Sequence, residues 1–231
     1  MKPRRDGLTY DAMWTSALRA RPDLVTITSY NEWSEGTQIE PAKPQPAAGA
    51  YLSYDGAWGR HGRAASRAYL WRTGCWTAVL AGAGCLSERT TVVHATHASD
   101  RELDLVADAG ARICVCPTTE ANLGDGFAPV ERICERGIGI CIGSDSNVRI
   151  DPLEELRELE GIARRQAGRR NVLSTERLLC YGADEGAGAL GLERWAEVTV
   201  DLEHRSLRGL EDADVFSALV FGCSAEVLSS G

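Results

Sequence analysis

Hydrophobic and polar positions after Thr90 alternate between two kinds of segment. Short apolar runs, TVVHA at 91–95 and RICVC at 112–116, predict strands. Longer segments with apolar residues at helical spacing separate them, such as SDRELDLVADAG at 99–110 and PLEELRELEGIARR at 152–165. Apolar strands that alternate with helices are typical of parallel sheets. The predicted fold class is therefore α/β, with parallel strands and flanking helices.

The same reading gives further elements on either side of this region. A helix at 174–190 begins with a capping pattern in which Ser174 or Thr175 precedes Glu176. The remaining predictions are helices at 9–20, 63–73 and 128–137, strands at 24–29, 137–145 and 196–202, and a Pro/Ala-rich loop at 41–49.

Composition narrows the classes of partner. The chain of 231 residues is 44% apolar and 25% charged, which is ordinary for a globular protein. Its net charge of −8 argues against a nucleic acid or an anionic membrane as partner. No apolar run reaches the roughly 20 residues that span a bilayer. The N-terminal MKPRRDGLTYD lacks the apolar segment of a signal peptide, so we expect a cytoplasmic protein.

The eight cysteines lie inside apolar runs, which favours buried, reduced thiols over a disulfide framework. Cys114 and Cys116 are two residues apart, so on a strand both would face the same way. The sequence contains no Cys-x-x-Cys pair. A zinc site made of cysteines is therefore not expected.

Candidate chemistry follows three of the predicted strands, where active residues of parallel sheets lie. The first place is SYNEWSEG at 29–36, in which Glu32 and Glu35 could act as an acid and a base on a glycosidic bond. Trp33 and Tyr30 could stack on a sugar ring. Spacing alone favours the alternative that both acids are solvated loop residues.

The other two places are HATH at 94–97 and GSDS at 143–146. Asp145 could bind a cation and accept a proton, and His94 could polarise a substrate or hold water. The alternatives are that His94 is a hydrogen-bonded structural residue and that GSDS caps the next helix, through Asp145, Ser146 or Asp151. Spacing alone does not decide between these interpretations.

The N-terminal third resembles a known glycosidase family. TSYNEWSEGTQIEPA, YLSYDGAWG and RAYLWRTGCW are similar to the end of a glycoside hydrolase family 99-like domain, over about residues 7–76. The resemblance implies the last part of a retaining (β/α)8 barrel. In it Glu32 would be the base that activates the sugar's own 2-hydroxyl, and Glu35 the acid/base on the leaving oxygen. Ser34 stands where the family often has His. A complete barrel takes about 250 residues, so most of the substrate groove would be missing.

From about Thr77 onward, VHATH, CPTTEANLGDG and GSDS with IDP resemble the C-terminal half of formimidoylglutamate deiminases in the amidohydrolase superfamily. That resemblance implies a (β/α)8 barrel with one zinc ion, which hydrolyses an N-formimidoyl group to N-formyl and ammonia in histidine degradation. His94 would contact the reacting group, and Asp145 would bind the metal and shuttle the proton. The PTTEANLGDG loop would line the substrate pocket with Pro117, Thr118, Thr119 and Glu120.

The departures from that pattern concern the metal. The family's His-x-His pair and fifth-strand histidine have no counterpart here, and His97 would start a helix instead of binding zinc. A zinc site needs at least three protein ligands, and the resemblance supplies only Asp145. We therefore expect no tight zinc binding and weak or absent deimination.

The chain is thus predicted as two segments, residues 1–76 and 77–231, each with part of a barrel. Three functions remain open. One is a weak amidohydrolase for a small-molecule substrate, helped by a partner chain or a homo-oligomer that covers the open half-barrel. The second is a glycosidase that uses Glu32 and Glu35. The third is a non-enzymatic fusion remnant.

Overall fold

The computed structural model describes residues 5–20, 54–145, 150–193 and 197–230. The chain divides into two compact units, one up to Cys85 and the other from Leu86 onward. The predicted strand at 24–29 and the loop at 41–49 lie outside the described residues. Glu32 and Glu35, with the neighbouring Tyr30, Trp33 and Ser34, lie outside them as well.

The first unit contains helices α1 (Leu8–Ala20), α2 (Gly62–Ser66) and α3 (Ala68–Gly82). The helix predicted at 9–20 is confirmed. The single helix predicted at 63–73 is instead two helices that break at Arg67, and the second extends to Gly82.

Aromatic rings form the core of the first unit. The ring of Tyr10 packs edge-on against Trp58 and Tyr69, with centroids 6.2 and 5.7 Å apart. Asp11 accepts hydrogen bonds from Trp58 Nε1 at 2.9 Å and from Arg72 Nε and Nη2 at 2.8 and 2.9 Å. Edge-on aromatic contacts and a bidentate ion pair thus join α1 to α3.

The second unit is built on a parallel sheet of three strands in the order β1-β2-β3. The strands are β1 (Thr91–Val93), β2 (Arg112–Val115) and β3 (Ile140–Ile142). Helix α4 (Asp100–Asp108) connects the first two strands. Helices α5 (Pro117–Leu123) and α6 (Val130–Glu135) connect the second and third. The α/β prediction with parallel strands and flanking helices is confirmed.

Strand register separates the two faces of this sheet. Ile113 pairs with Ile140, and both are fully buried in the apolar core with Leu103 and Leu159 from the helices. The next pair in register is Cys114 with Cys141. Because successive side chains on a strand alternate, these two thiols lie on the opposite face from the isoleucines.

Helix α7 (Pro152–Ala167) is the longest helix of the second unit and confirms the prediction at 152–165. Its N-cap, Asp151, accepts from the backbone N–H groups of Leu153 and Glu154 at 3.1 and 3.2 Å. Leu156 and Leu159 face the core. This helix therefore covers one face of the sheet with its apolar side.

The predicted helix at 174–190 is two helices, α8 (Thr175–Gly182) and α9 (Asp184–Ala189), since the backbone leaves helical geometry at Ala183. Ser174 is the N-cap and accepts from Arg177 N–H at 3.3 Å. The acidic residue that a complete capping box needs stands one position early, at Glu176.

The remaining elements form an antiparallel pair. Strand β4 (Val198–Val200) confirms the last predicted strand and pairs with β5 (Leu228–Ser230), and α10 (Asp212–Gly222) lies between them in the chain. Across the described ranges, no helix combines the length and apolar character needed to cross a bilayer.

Candidate functional site

His94 directly follows β1 and lies at the carboxyl end of the sheet, as the sequence predicts. Its backbone N–H donates to the Cys114 carbonyl at 2.7 Å, which extends the pairing of β1 and β2 by one residue. Its φ is +70°, and that of Ala95 is +54°. Residues other than glycine seldom adopt this left-handed conformation, and such strain concentrates at functional sites.

Asp145 lies three residues beyond β3, also with a positive φ, of +47°. Its Oδ2 is 3.5 Å from His94 Nε2. The Asp145 side chain is 39% exposed and that of His94 is 20% exposed. The structure therefore brings together the two residues that the sequence predicts as catalytic, at a place open to solvent.

Glu120 supports His94 from within the protein. This carboxylate has no exposed surface, and its Oε1 is 3.2 Å from His94 Nδ1 and accepts the Cys116 N–H at 2.9 Å. The hydrogen bond to Glu120 raises the pKa of His94, Asp145 adds to the rise through its charge, and burial opposes it. Oε2 of Glu120 is buried and has no hydrogen-bond partner among the described residues.

The segment predicted as a pocket loop begins as a helix. Pro117 to Leu123 form α5, with Pro117 in the first turn. Thr119 is buried and donates its hydroxyl to the Ser144 carbonyl at 2.7 Å. Thr118 donates its N–H at 3.0 Å, and its hydroxyl, to the buried Glu155. The Thr119 contact holds the residue before Asp145, and the Thr118 contacts join α5 to α7. A direct role on substrate for Pro117, Thr118, Thr119 and Glu120 stays a prediction.

A cysteine joins the pair at the end of the sheet. One ligating atom each of His94, Cys116 and Asp145 lies within 4.8 Å of the others. The thiols of Cys114 and Cys116 both lie over Gly143, where a Cβ atom would be 3.2 Å from either sulfur. The prediction that these two cysteines face the same way is confirmed.

The thiols also interact with one another. Hydrogen bonds from Cys116 and Cys141 lower the pKa of Cys114, whereas the contact with Cys114 raises the pKa of both partners. Cys114, Cys116 and Cys141 are all free thiols. The end of the sheet thus carries an imidazole, a carboxylate and three thiols.

His97 does not start a helix, and that prediction is wrong. Helix α4 begins at Asp100, and its N-cap is Ser99, which forms a complete capping box with Glu102. His97 Nε2 instead donates to the Asp125 carbonyl at 2.8 Å. His97 thereby ties the turn after β1 to the loop after α5.

The structure also tests the alternative that GSDS caps the next helix. The cap of α7 is Asp151, not Asp145. Ser146 lies outside the described residues. Asp145 is therefore not the cap of this helix, and its carboxylate lies 3.5 Å from the imidazole of His94.

The sequence predicts Glu120 as a site residue, although in contact with substrate and not with His94. It does not predict Cys116 as a member of the site, since the cysteines read as buried, reduced thiols. A cysteine at a strand end followed by Glu four residues later, across the start of a helix, is a pattern that could have signalled both. The backbone of that first turn is what lets Glu120 accept from Cys116 N–H.

Two family models match the chain. Residues 61–198 match the amidohydrolase family, and residues 1–91 match glycosyl hydrolase family 99. Since the first match covers more than half of the chain, the protein belongs to the amidohydrolase family. The matched ranges overlap over residues 61–91. The resemblances to both families are confirmed.

Two curated relatives have names that describe deaminating enzymes, but the two names give different substrates. The formimidoylglutamate deiminase of Pseudomonas aeruginosa is 43% identical over 88 residues, 38% of this chain and 19% of that protein. The 5-methylthioadenosine/S-adenosylhomocysteine deaminase of Halobacterium salinarum is 30% identical over 116 residues, 49% of this chain and 27% of that protein. The chain thus spans about a quarter or less of the length of these relatives.

Solved structures of amidohydrolases match the fold of about two thirds of this chain. An amidohydrolase from Brucella melitensis matches with a TM-score of 0.56 and 33% identity, over 67% of this chain and 36% of that one. An adenosine deaminase from Xanthomonas campestris with bound zinc matches with a TM-score of 0.59 and 25% identity, over 65% and 37% of the two chains.

Proposed function

We propose that His94 and Asp145 form the acid–base pair of an amidohydrolase site that hydrolyses the C–N bond of an N-formimidoyl group. The substrate would be N-formimidoyl-L-glutamate, and the products N-formyl-L-glutamate and ammonia. The observation that carries the proposal is the 3.5 Å separation of His94 Nε2 and Asp145 Oδ2 at the carboxyl end of a parallel sheet.

Each residue has a role that its surroundings support. Asp145, which is the more exposed, would take a proton from the attacking water. His94 would contact the formimidoyl nitrogen and give it the proton with which ammonia leaves. Glu120 would hold the imidazole through Nδ1, so that Nε2 faces the substrate. The raised pKa of His94 increases its protonated fraction near neutral pH, as the acid needs.

The similar adenosine deaminase structure contains bound zinc. The donors present here fit such an ion, because Asp145 offers a partly exposed carboxylate oxygen with an imidazole and a thiol close by. A bound divalent ion lowers the pKa of water and so supplies hydroxide at neutral pH. Of these three residues, the family resemblance implies only Asp145 as a metal ligand. We therefore expect zinc-dependent activity to be weak.

The choice of substrate rests on the relatives. The deiminase is the more similar of the two named relatives per aligned residue, at 43% against 30%. Both names describe enzymes that remove nitrogen from a substrate. N-formimidoyl-L-glutamate is therefore the first substrate to test, and 5′-methylthioadenosine is the comparison.

The test is ammonia release by the purified full chain with added zinc, from either substrate. We expect release from N-formimidoyl-L-glutamate, with kcat/KM lowered by about 10²-fold in His94→Gln and in Asp145→Asn. His61→Gln is the matched control, since His61 is exposed and forms its described ion pair with Asp55. Ammonia release from 5′-methylthioadenosine alone would show that the substrate is not N-formimidoyl-L-glutamate. No ammonia release from a folded chain would overturn the proposal.

A second candidate rests on the match of residues 1–91 to glycosyl hydrolase family 99. In this function Glu32 and Glu35 would cleave an α-mannoside with retention. Hydrolysis of an aryl α-mannoside that is lost in Glu35→Gln, but unchanged in Asp145→Asn, would support it. If neither reaction occurs, the remaining proposal is a fusion remnant without enzymatic activity.

A further inference from the structure

We propose that Cys114 and Cys141 form a redox site, in which a hydroperoxide oxidises the two thiols to a reversible disulfide between β2 and β3. The two residues pair in register in the parallel sheet, and both carry free thiols. The proposal concerns a pair of neighbouring strands and does not depend on the proposed hydrolysis.

The register places the two thiols on the same face of the sheet. Neighbouring strands lie about 4.8 Å apart, so the Cα atoms of an in-register pair fall within the range of about 4.4–6.8 Å that disulfides span. The side chains of Cys114 and Cys141 point the same way because the two strands are paired in register. The thiol of Cys114 already interacts with that of Cys141 in the reduced protein. A disulfide between them therefore needs no change in strand pairing.

The same geometry makes this disulfide a strained one. The Cβ atoms of an in-register parallel pair are also about 4.8 Å apart, slightly more than the spacing of about 3.5–4.5 Å in a relaxed disulfide. Closing the bond must draw the two strands together locally. Strained disulfides are reduced more readily than structural ones. We therefore expect a link that forms under oxidation and opens again under mild reduction.

Exposure decides which thiol reacts first. Cys114 is half-buried, whereas Cys141 is only 3% exposed. A small oxidant reaches Cys114 more easily, and Cys141 lies beside it inside the protein as the resolving thiol. Redox-sensitive cysteines are typically accessible and next to such a resolving thiol.

The two chemical steps balance with a hydroperoxide as the only co-reactant. The Cys114 thiolate attacks one peroxide oxygen, the O–O bond breaks, and the sulfur becomes a sulfenic acid while hydroxide leaves. The Cys141 thiolate then attacks the sulfenyl sulfur, so that the S–S bond forms and the S–O bond breaks with loss of a second hydroxide. The protons released by the two thiols convert both hydroxides to water. With hydrogen peroxide, two thiols thus give one disulfide and two water molecules.

Cys116 is the competing partner for Cys114. Its thiol also interacts with that of Cys114, and both lie over Gly143. Residues two apart on an extended strand, however, have Cα atoms about 6.6 Å apart, at the upper limit of the disulfide range, and their Cβ atoms are equally distant. The N–H of Cys116 is also held by Glu120 at the start of α5. Both observations favour Cys141 as the partner.

Peptide mapping of the purified full chain distinguishes the two pairs. The reduced protein is treated with hydrogen peroxide in the presence of a metal chelator, its remaining thiols are blocked with N-ethylmaleimide, and it is cut with trypsin. Cys114 and Cys116 share the peptide 113–132, whereas Cys141 lies in the peptide 137–149. We expect these two peptides to be joined, with the loss of two hydrogen atoms and with one maleimide on Cys116. Dithiothreitol should separate them and restore both thiols.

Variants and an internal control sharpen this map. Cys116→Ser should leave the joined peptides unchanged, and Cys141→Ser should leave Cys114 as a sulfenic acid that dimedone traps. Cys180 is the control, because it is a half-buried thiol of the same unit outside the group of three. At the peroxide concentration that joins the two peptides, Cys180 should still react with the maleimide.

Three results would overturn the proposal. The first is a disulfide within the peptide 113–132 while Cys141 still reacts with the maleimide. The second is oxidation of Cys180 at a peroxide concentration that leaves Cys114 reduced. The third is added oxygen on Cys114 that dithiothreitol does not remove, since this shows oxidation past the sulfenic acid. The wild-type map decides among them even if the Cys141 variant does not fold, and none of these readings requires ammonia release.

Discussion

Nδ1 of His94 lies 3.2 Å from Oε1 of Glu120, a carboxylate with no exposed surface. This contact joins a residue at the end of β1 to the first helix after β2. The free energy of folding therefore depends on whether the imidazole is protonated. Glu120 compensates the charge of His94 only when the two elements are assembled.

The first prediction concerns pH. Because the bond to Glu120 raises the folded-state pKa of His94, its contribution to stability is fully present below the unfolded value of about 6.5. That contribution is lost as the pH rises through the folded pKa. In the presence of a chelator, we expect the loss of unfolding free energy in His94→Gln to be larger at about pH 5.5 than at about pH 9. Urea unfolding of both proteins measures it, and an equal loss at both pH values would show that the pair is not coupled.

The second prediction concerns Gly143. A Cβ atom here would be 3.2 Å from the sulfur atoms of both Cys114 and Cys116, so alanine must push the thiols aside. We expect Gly143→Ala to cost about 1–3 kcal/mol, because both thiols must move to admit the added methyl group. Gly222→Ala is the control, since a Cβ atom there meets nothing within 4 Å. Calorimetry measures the stability of both variants, and an equal cost at the two glycines would contradict the prediction.

The third prediction concerns a buried carboxylate that organises backbone. Glu160 has no exposed surface and accepts from the N–H groups of Val172 and Leu173 at 3.1 and 2.8 Å, and from Arg164 at 2.8 Å. Glu160→Gln leaves only one acceptor oxygen, so we expect a loss of about 1–3 kcal/mol in urea unfolding. Glu158→Gln, a half-exposed position on the same helix, should cost much less. Equal costs would mean that Glu160 does not hold the loop after α7.

The fourth prediction tests the sheet. Ile140 is fully buried in the core, and Ile150 is 78% exposed. We expect Ile140→Ala to cost about 2–5 kcal/mol and Ile150→Ala to change stability by less than about 0.5 kcal/mol. Denaturant midpoints measure both. A small cost at Ile140 would indicate that the second unit is loosely packed.

Most of the second unit could be predicted from the sequence, because its strands and helices repeat a simple apolar pattern. The pattern did not show the break at Ala183, which directly follows Gly182, the last residue of α8. It also did not show that α3 continues to Gly82, since residues beyond 73 keep an apolar composition without a clear polar face.

The candidate site was only half visible in the sequence. His94 and Asp145 follow strands, and parallel strands end at a common edge, so their meeting could be inferred. The roles of Cys116 and Glu120 depend on how the chain turns from β2 into α5, which spacing does not encode. The absence of Cys-x-x-Cys excludes one kind of zinc site, but it says nothing of ligands from three separate strand ends.

Helix α3 contains residues 76 and 77, where the two family resemblances meet in the sequence, and it lies within the range that both family models match. A joint inside a continuous helix must keep helical phase. Insertion or removal of one residue there would turn Val79 by about 100° relative to Tyr69. If two coding segments were joined at this point, the number of residues at the joint would decide which faces of the helix meet its neighbours. Only a compatible number would keep those faces unchanged.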